Sequence, residues 1–182
     1  MAKRATTSSR NIDTYVNTVG ISKAIPSTAG QANEKVSSAY SSKDRVGMII
    51  HEVEYTFSLL QALFDSAGDG IRFGLSVASV QSDTGNAVSD AGVMDFNIIS
   101  RFDIGTAAIG EIRDHTVVRK NFSTYPGGGL LVHPAFLYVW IYTQATLGTT
   151  ADLYTRIRYT VTALSDSDYM DLWQNMILLT TV

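Results

Sequence analysis

Apolar and polar residues change their rhythm along this chain at Arg45. Before it, residues 5–44 are rich in Ser, Thr, Ala and Gly. Only Ile12, Tyr15, Val16, Val19, Ile21, Ile25, Val36 and Tyr40 stand out as scattered apolar anchors. Such a segment buries too little surface to offset the entropy of ordering it, so Met1–Asp44 is expected to be an extended arm. After Arg45 a period of two takes over, the signature of β-strands. Val46, Met48 and Ile50 alternate with other residues, and the strand continues through Val53 and Tyr55. Ile71, Phe73, Leu75 and Val77 line one face of a second strand. Val93–Phe102 and Ala108–Val118 predict two more, and Leu130–Val132 leads to Pro134, a bend or strand edge. Phe136–Ala145 is apolar on both faces, which predicts a strand covered on both sides. The next strand sets Leu153, Thr155 and Ile157 against Tyr154, Arg156 and Arg158.

The connections are short on helix. Ser58–Asp65 predicts a short helix or a buried loop. Ser165-Asp166-Ser167-Asp168 is an N-cap signal opening a second short helix that carries Tyr169, Leu172 and Trp173. Ile177–Val182 reads as a terminal strand. Gly68-Asp69-Gly70 reads as a hairpin turn, and Pro126–Gly129 as a flexible break. About eight strands with turn-rich connections predict an all-β, antiparallel β-sandwich, most simply a single jelly roll. Two units result: an arm over 1–44 and a sandwich body over 45–182.

Charge sharpens the division. The arm holds Lys3, Arg4, Arg10, Lys23, Lys35 and Lys43 against Asp13, Glu34 and Asp44, a net charge of +3. The body holds 8 basic and 14 acidic residues, with Lys120 its only lysine. Charged residues make up 17% of the chain, below the roughly 25% of an average soluble domain. A domain that keeps so little charge for its surface is expected to give part of that surface to partner subunits. The chain has no cysteine, which excludes disulfides, thiolate metal sites and cysteine nucleophiles and suits a reducing compartment. No signal peptide and no apolar run near 18 residues is visible, so no membrane span is expected.

Candidate chemistry is sparse. His51-Glu52-Val53-Glu54 opens like a zinc-protease motif but lacks the second histidine, and on a strand His51 would face away from the two glutamates. His115 and His133 complete the histidines, and a site built from all three defines an enzyme reading. The Gly68–Gly74 stretch leads into a strand and the Pro126–Gly129 stretch precedes no helix, so neither cradles phosphate. Tyr138, Trp140 and Tyr142 form an aromatic stripe that is either core or a stacking platform for sugars or bases. Arg113, Arg119 and Lys120 form a loose basic group, and Arg156 with Arg158 share a strand face able to meet acidic groups across an interface. Catalytic residues, cofactor and metal are therefore expected to be absent. Lys3, Arg4 and Arg10 are the candidates for nucleic-acid contact, by neutralising phosphates.

The polar basic arm (Met1–Asp44), the strands from Arg45 onward and the strand-rich C-terminal part together resemble the single jelly-roll coat proteins of small icosahedral viruses. The resemblance covers the whole chain in plan, through no diagnostic motif. It implies a self-assembling capsid subunit made and assembled in host cytoplasm and residing in the virion. Its partner would be chiefly itself, in a large homo-oligomer with other virion proteins, and its arm would be ordered by subunit or genome contacts. The arm is less basic than the family's arms. The alternative is a β-sandwich binding module, such as a lectin-like or phage-tail carbohydrate-binding protein.

Overall fold

A computed structural model describes residues 16–38, 40, 44–58, 70–77, 92–100 and 117–180. Nine strands are present among these residues. They are β1 (Asn17–Ala24), β2 (Gly30–Lys35), β3 (Val46–Phe57), β4 (Gly70–Ser76), β5 (Val93–Ser100), β6 (Val117–Asn121), β7 (Leu130–Val132), β8 (Tyr138–Thr143) and β9 (Asp152–Ala163). A 3₁₀ turn (Pro134–Phe136) precedes β8, and one α-helix, α1 (Asp166–Thr180), follows β9.

All strand pairs are antiparallel and fall into two sheets. Sheet A has the order β1-β9-β3-β6, with β7 continuing the β6 lane on β3, and sheet B has the order β2-β8-β4-β5. The pairs β1/β9, β2/β8, β3/β6 and β4/β5 are successive pieces of one long antiparallel ribbon. Rolled up, that ribbon lays its pieces alternately in the two sheets, which is the jelly-roll arrangement. The all-β sandwich expected from the period-two pattern is therefore present.

The core follows from that period. β3 turns Met48, Ile50, Val53, Tyr55 and Phe57 inward, and β4 turns Ile71, Phe73 and Leu75 toward them. Phe73 meets Tyr55 and Phe57 edge to face, with ring centroids 5.1 and 4.9 Å away. Truncating a buried phenylalanine in such a cluster costs about 3–5 kcal/mol, a large share of a domain's net stability. Val139 and Ile141 of β8 and Leu153 and Ile157 of β9 complete the layer. A polar tie crosses it. The Tyr55 hydroxyl in sheet A donates to Asp95 Oδ2 in sheet B at 2.7 Å, and Asn97 Nδ2 donates to the same oxygen at 2.8 Å.

Three expectations need correction. β1 and β2 lie inside the stretch assigned to the arm, yet each supplies an edge strand of one sheet. Edge strands bury little, and their inward faces reach the rim of the sandwich, where Lys23 of β1 pairs with Glu34 of β2 at 2.9 Å. Inward charge on an edge also discourages unwanted pairing. The second correction concerns Ile177–Val182, expected as a strand. Through Thr180 this stretch continues α1, whose Leu172 and Met176 sit four residues apart against Val77. Third, Phe136 belongs to the 3₁₀ turn, so the long apolar strand begins at Tyr138. Ser58–Asp65 (beyond Ser58), the Gly68-Asp69 turn and Ala108–Val118 (before Val117) lie outside the described residues.

Candidate interaction surfaces

The outward face of sheet A is a lattice set by register. Glu52 of β3 stands opposite Arg158 of β9 and Asn121 of β6, and Glu54 stands opposite Arg156 and Arg119. Arg119 donates from Nη2 to Glu54 Oε2 at 2.7 Å and reaches Glu52 Oε1 from Nε at 3.3 Å. Arg156 donates to Glu54 Oε1 at 2.6 Å, and Arg158 donates to Glu52 Oε2 at 3.3 Å. The Arg119 hydrogen bond, helped by the charges of Arg156 and Arg119, holds the Glu54 carboxyl below its ordinary range even though burial pushes it up. The arginines expected to seek acidic groups across an interface thus find them within the chain. Lys120 of β6 pairs with Val53, which faces the core, so it does not share the Arg119 face.

A bulge corrects the expected orientation of His51. The β3–β9 register slips between Ile50 and Glu52. His51 then reaches Thr160 Oγ1 at 2.9 Å, two residues along β9 from Arg158, and so shares the face of the glutamates. Its Nδ1 lies 2.8 Å from the Gly128 carbonyl. That carbonyl only accepts, so Nδ1 carries the proton and Nε2 accepts from Thr160. The Pro126–Gly129 stretch is therefore a pinned turn in the interruption between β6 and β7. Gly127 and Gly128 adopt φ of +87° and +79°, and a side chain at Gly129 would strike Ile50 O at 2.5 Å.

Beside this lattice lies a groove of about 400 Å³, lined by Thr18, Gly20, Ser22, Glu54, Tyr154 and Arg156 among others. It opens because Gly20, opposite Arg156, has no side chain. On the outer face of sheet B, Trp140 is fully buried and packs on Phe96 at 5.7 Å, and Arg72 lies over the Tyr142 ring at 5.7 Å. The aromatic stripe is thus covered at its centre and half-exposed at Tyr138 and Tyr142.

The third surface joins α1 to the sandwich. Ser165 caps the helix, its Oγ accepting from the Asp168 amide at 3.2 Å while donating to Asp168 Oδ2 at 2.6 Å. Arg45 pairs with Asp166 at the same end. His133 is fully buried, edge-on to Trp173, Tyr169 and Phe136. Its Nδ1 accepts from the Ala135 amide at 3.1 Å, so Nε2 carries the proton. Burial, and then the charge of Lys35, lowers its pKa.

Of the residues singled out in the sequence, His51, Glu52, Glu54, Arg119, Arg156 and Arg158 come together, and His133 lies in a separate cluster. Lys3, Arg4, Arg10, Arg113 and His115 lie outside the described residues. No group of three metal-ligating side chains occurs among the described residues, and no described helix is long and apolar enough to cross a membrane. Gly20 and the groove it opens are not marked by any motif in the sequence; the alternation of Val19 and Ile21 around it is the available signal.

No protein-family model matches this chain, and no curated protein matches it. Among solved structures it is similar to a chain of the tomato aspermy virus crystal structure. The identity is 9% and the TM-score 0.42, over 80% of this chain and 77% of that one.

Proposed function

We propose that this protein is a self-assembling structural subunit, a coat protein whose copies bury apolar and hydroxyl-rich surface against one another in a virion, with no catalytic role. The observation that carries the reading is α1. Leu172 and Met176 cover one side of the helix against the sandwich, while Met170, Ile177 and Leu178 are large apolar side chains exposed on another. A helix apolar on more than one side gains stability when each side is covered. The charge-poor composition points the same way. Lys3, Arg4 and Arg10 extend the proposal to genome contact through the segment before β1.

Sedimentation velocity across a concentration series tests it. Assembly predicts species far heavier than the 19.8 kDa chain, growing with concentration. A single species of chain mass at every concentration overturns it. The arm is tested by removing residues 2–15 alone, since a cut at Asp44 would also remove β1 and β2. That deletion should weaken binding to single-stranded RNA and flatten its dependence on salt.

A further inference from the structure

The outward face of sheet A and the exposed side of α1 are complementary in charge and in shape. On the face, Arg119, Arg156 and Arg158 keep 60%, 52% and 43% of their side chains exposed, whereas Glu52 and Glu54 keep 19% and 9%. The carboxylates lie beneath the guanidinium groups, so over the Arg119–Arg156–Arg158 patch solvent meets the guanidinium groups first. α1 is the reverse: it has no basic residue, and with Asp166 paired to Arg45 and Asp168 bonded to Ser165, Asp171 is the carboxylate on its exposed side. The acidic residues occupy its first half and the exposed Ile177 and Leu178 its second.

The apolar parts match as well. Tyr154 and Val117 are exposed on the sheet face, at either end of the row that runs from the groove to β6. At the floor of the groove, a Cβ added to Gly20 would meet nothing within 4 Å. α1 has fifteen residues, a length of about 22 Å at 1.5 Å per residue. Three lanes of about 4.8 Å separate β6 from β1, about 14 Å in all. Asp171 and Leu178, seven residues apart and therefore on one side of the helix, are about 10 Å apart along it, about two lanes. One helix therefore spans the face, with Leu178 at Gly20 and Asp171 about two lanes away, between Arg156 and Arg119.

We infer that α1 of one copy docks across the outward face of sheet A of a second copy, its Ile177–Leu178 end seated in the groove over Gly20. The inference rests on the self-assembly reading and names the two surfaces that would carry it. The contact is heterologous: each copy gives one surface and receives on the other. Such a contact propagates, and closes into a ring where the rotation permits.

Two variants test it, each altering one surface at a position the fold leaves open. Gly20→Leu fills the groove and leaves the helix intact. Leu178→Asp spoils the helix and leaves the groove intact. Each alone should give the circular dichroism of the parent but the light-scattering mass of a single chain. Mixed in equal amounts, they should form a dimer of one of each and stop there, because only one productive pair of surfaces remains. Raising salt should weaken that dimer, since its charges are exposed.

If Gly20→Leu does not fold, Tyr154→Asp takes its place on the same face. A parent that assembles while folded Gly20→Leu assembles equally well overturns the docking and leaves self-assembly standing. Folded single variants that stay monomeric when mixed also overturn it. A parent that never assembles removes the self-assembly reading, and the docking falls with it.

Discussion

Replacing Tyr55 by Phe removes one oxygen from the middle of the sandwich and tests how its two sheets are tied. Tyr55 is fully buried on β3, and its hydroxyl donates at 2.7 Å to Asp95 on edge strand β5. The ring stays, so its edge-to-face contact with Phe73 remains and no large cavity opens. What is lost is one of the two hydrogen bonds to Asp95 Oδ2, the other coming from Asn97 at 2.8 Å. A hydrogen bond to a charged group contributes about 1.5–3 kcal/mol, so a loss of about 2 kcal/mol is expected. In urea, with a slope of about 2 kcal/mol per M, the midpoint should fall by about 1 M while the slope stays the same. The melting temperature should fall by about 4–8 °C at fixed protein concentration. A cycle with Asp95→Ala should show coupling between the two positions. In the parent, burial and the neighbouring Asp95 raise the Tyr55 phenol well above its ordinary value, so it should not titrate with the exposed tyrosines. A Tyr55→Phe protein within about 0.5 kcal/mol of the parent would refute the inter-sheet tie.

Gly74→Ala should be severe, because its Cβ would lie 1.8 Å from the Asp95 carbonyl oxygen and force β4 from β5; a loss of about 3 kcal/mol or more in urea is expected, and a near-neutral result contradicts the close approach. Ser165→Ala removes the cap of α1 and should cost about 1 kcal/mol, seen as earlier loss of helical circular dichroism on heating. His133 should titrate below its ordinary value of 6.5 in a proton NMR titration. Because the folded value is lowered, its contribution to stability is complete above about pH 6.5 and is lost as pH falls through the folded value. Protonation must take Nδ1 and displace the Ala135 amide, so melting temperature should drop across that window; a midpoint at or above 6.5 contradicts the burial argument.

The strands of the body were legible because their alternation is strong. Met48 with Ile50, Ile71 with Phe73 and Leu153 with Ile157 each place two large side chains on one face, and those faces form the core. β1 and β2 were not read as strands. Val19 and Ile21 do alternate, but the next inward position is Lys23, and β2 offers only Ala32 before Glu34. Edge strands at an open rim need few apolar residues, so composition read the segment as an arm. The end of α1 reads as strand because Ile177, Thr180, Thr181 and Val182 are β-branched, while the spacing of Leu172 and Met176 favours helix and no Gly or Pro intervenes to stop it.

The site divides in the same way. That Glu52 and Glu54 share a face, and Arg156 and Arg158 another, follows from period two. That these faces are one face depends on the pairing of β3 with β9 across about a hundred residues, which no local pattern encodes. The bulge that swings His51 to the glutamate side is likewise a property of the pairing. Gly20 looked like any glycine in a polar segment until β1 was placed beside Arg156.

Size-exclusion chromatography with light scattering, followed by electron microscopy of the heaviest fraction, tests self-assembly most directly. The account predicts uniform closed particles of many copies, and an ultraviolet spectrum showing nucleic acid if the basic segment contacts a genome. A stable monomer or trimer across salt and pH, with no particles, would contradict it and turn attention to a carbohydrate-binding role for the same sandwich.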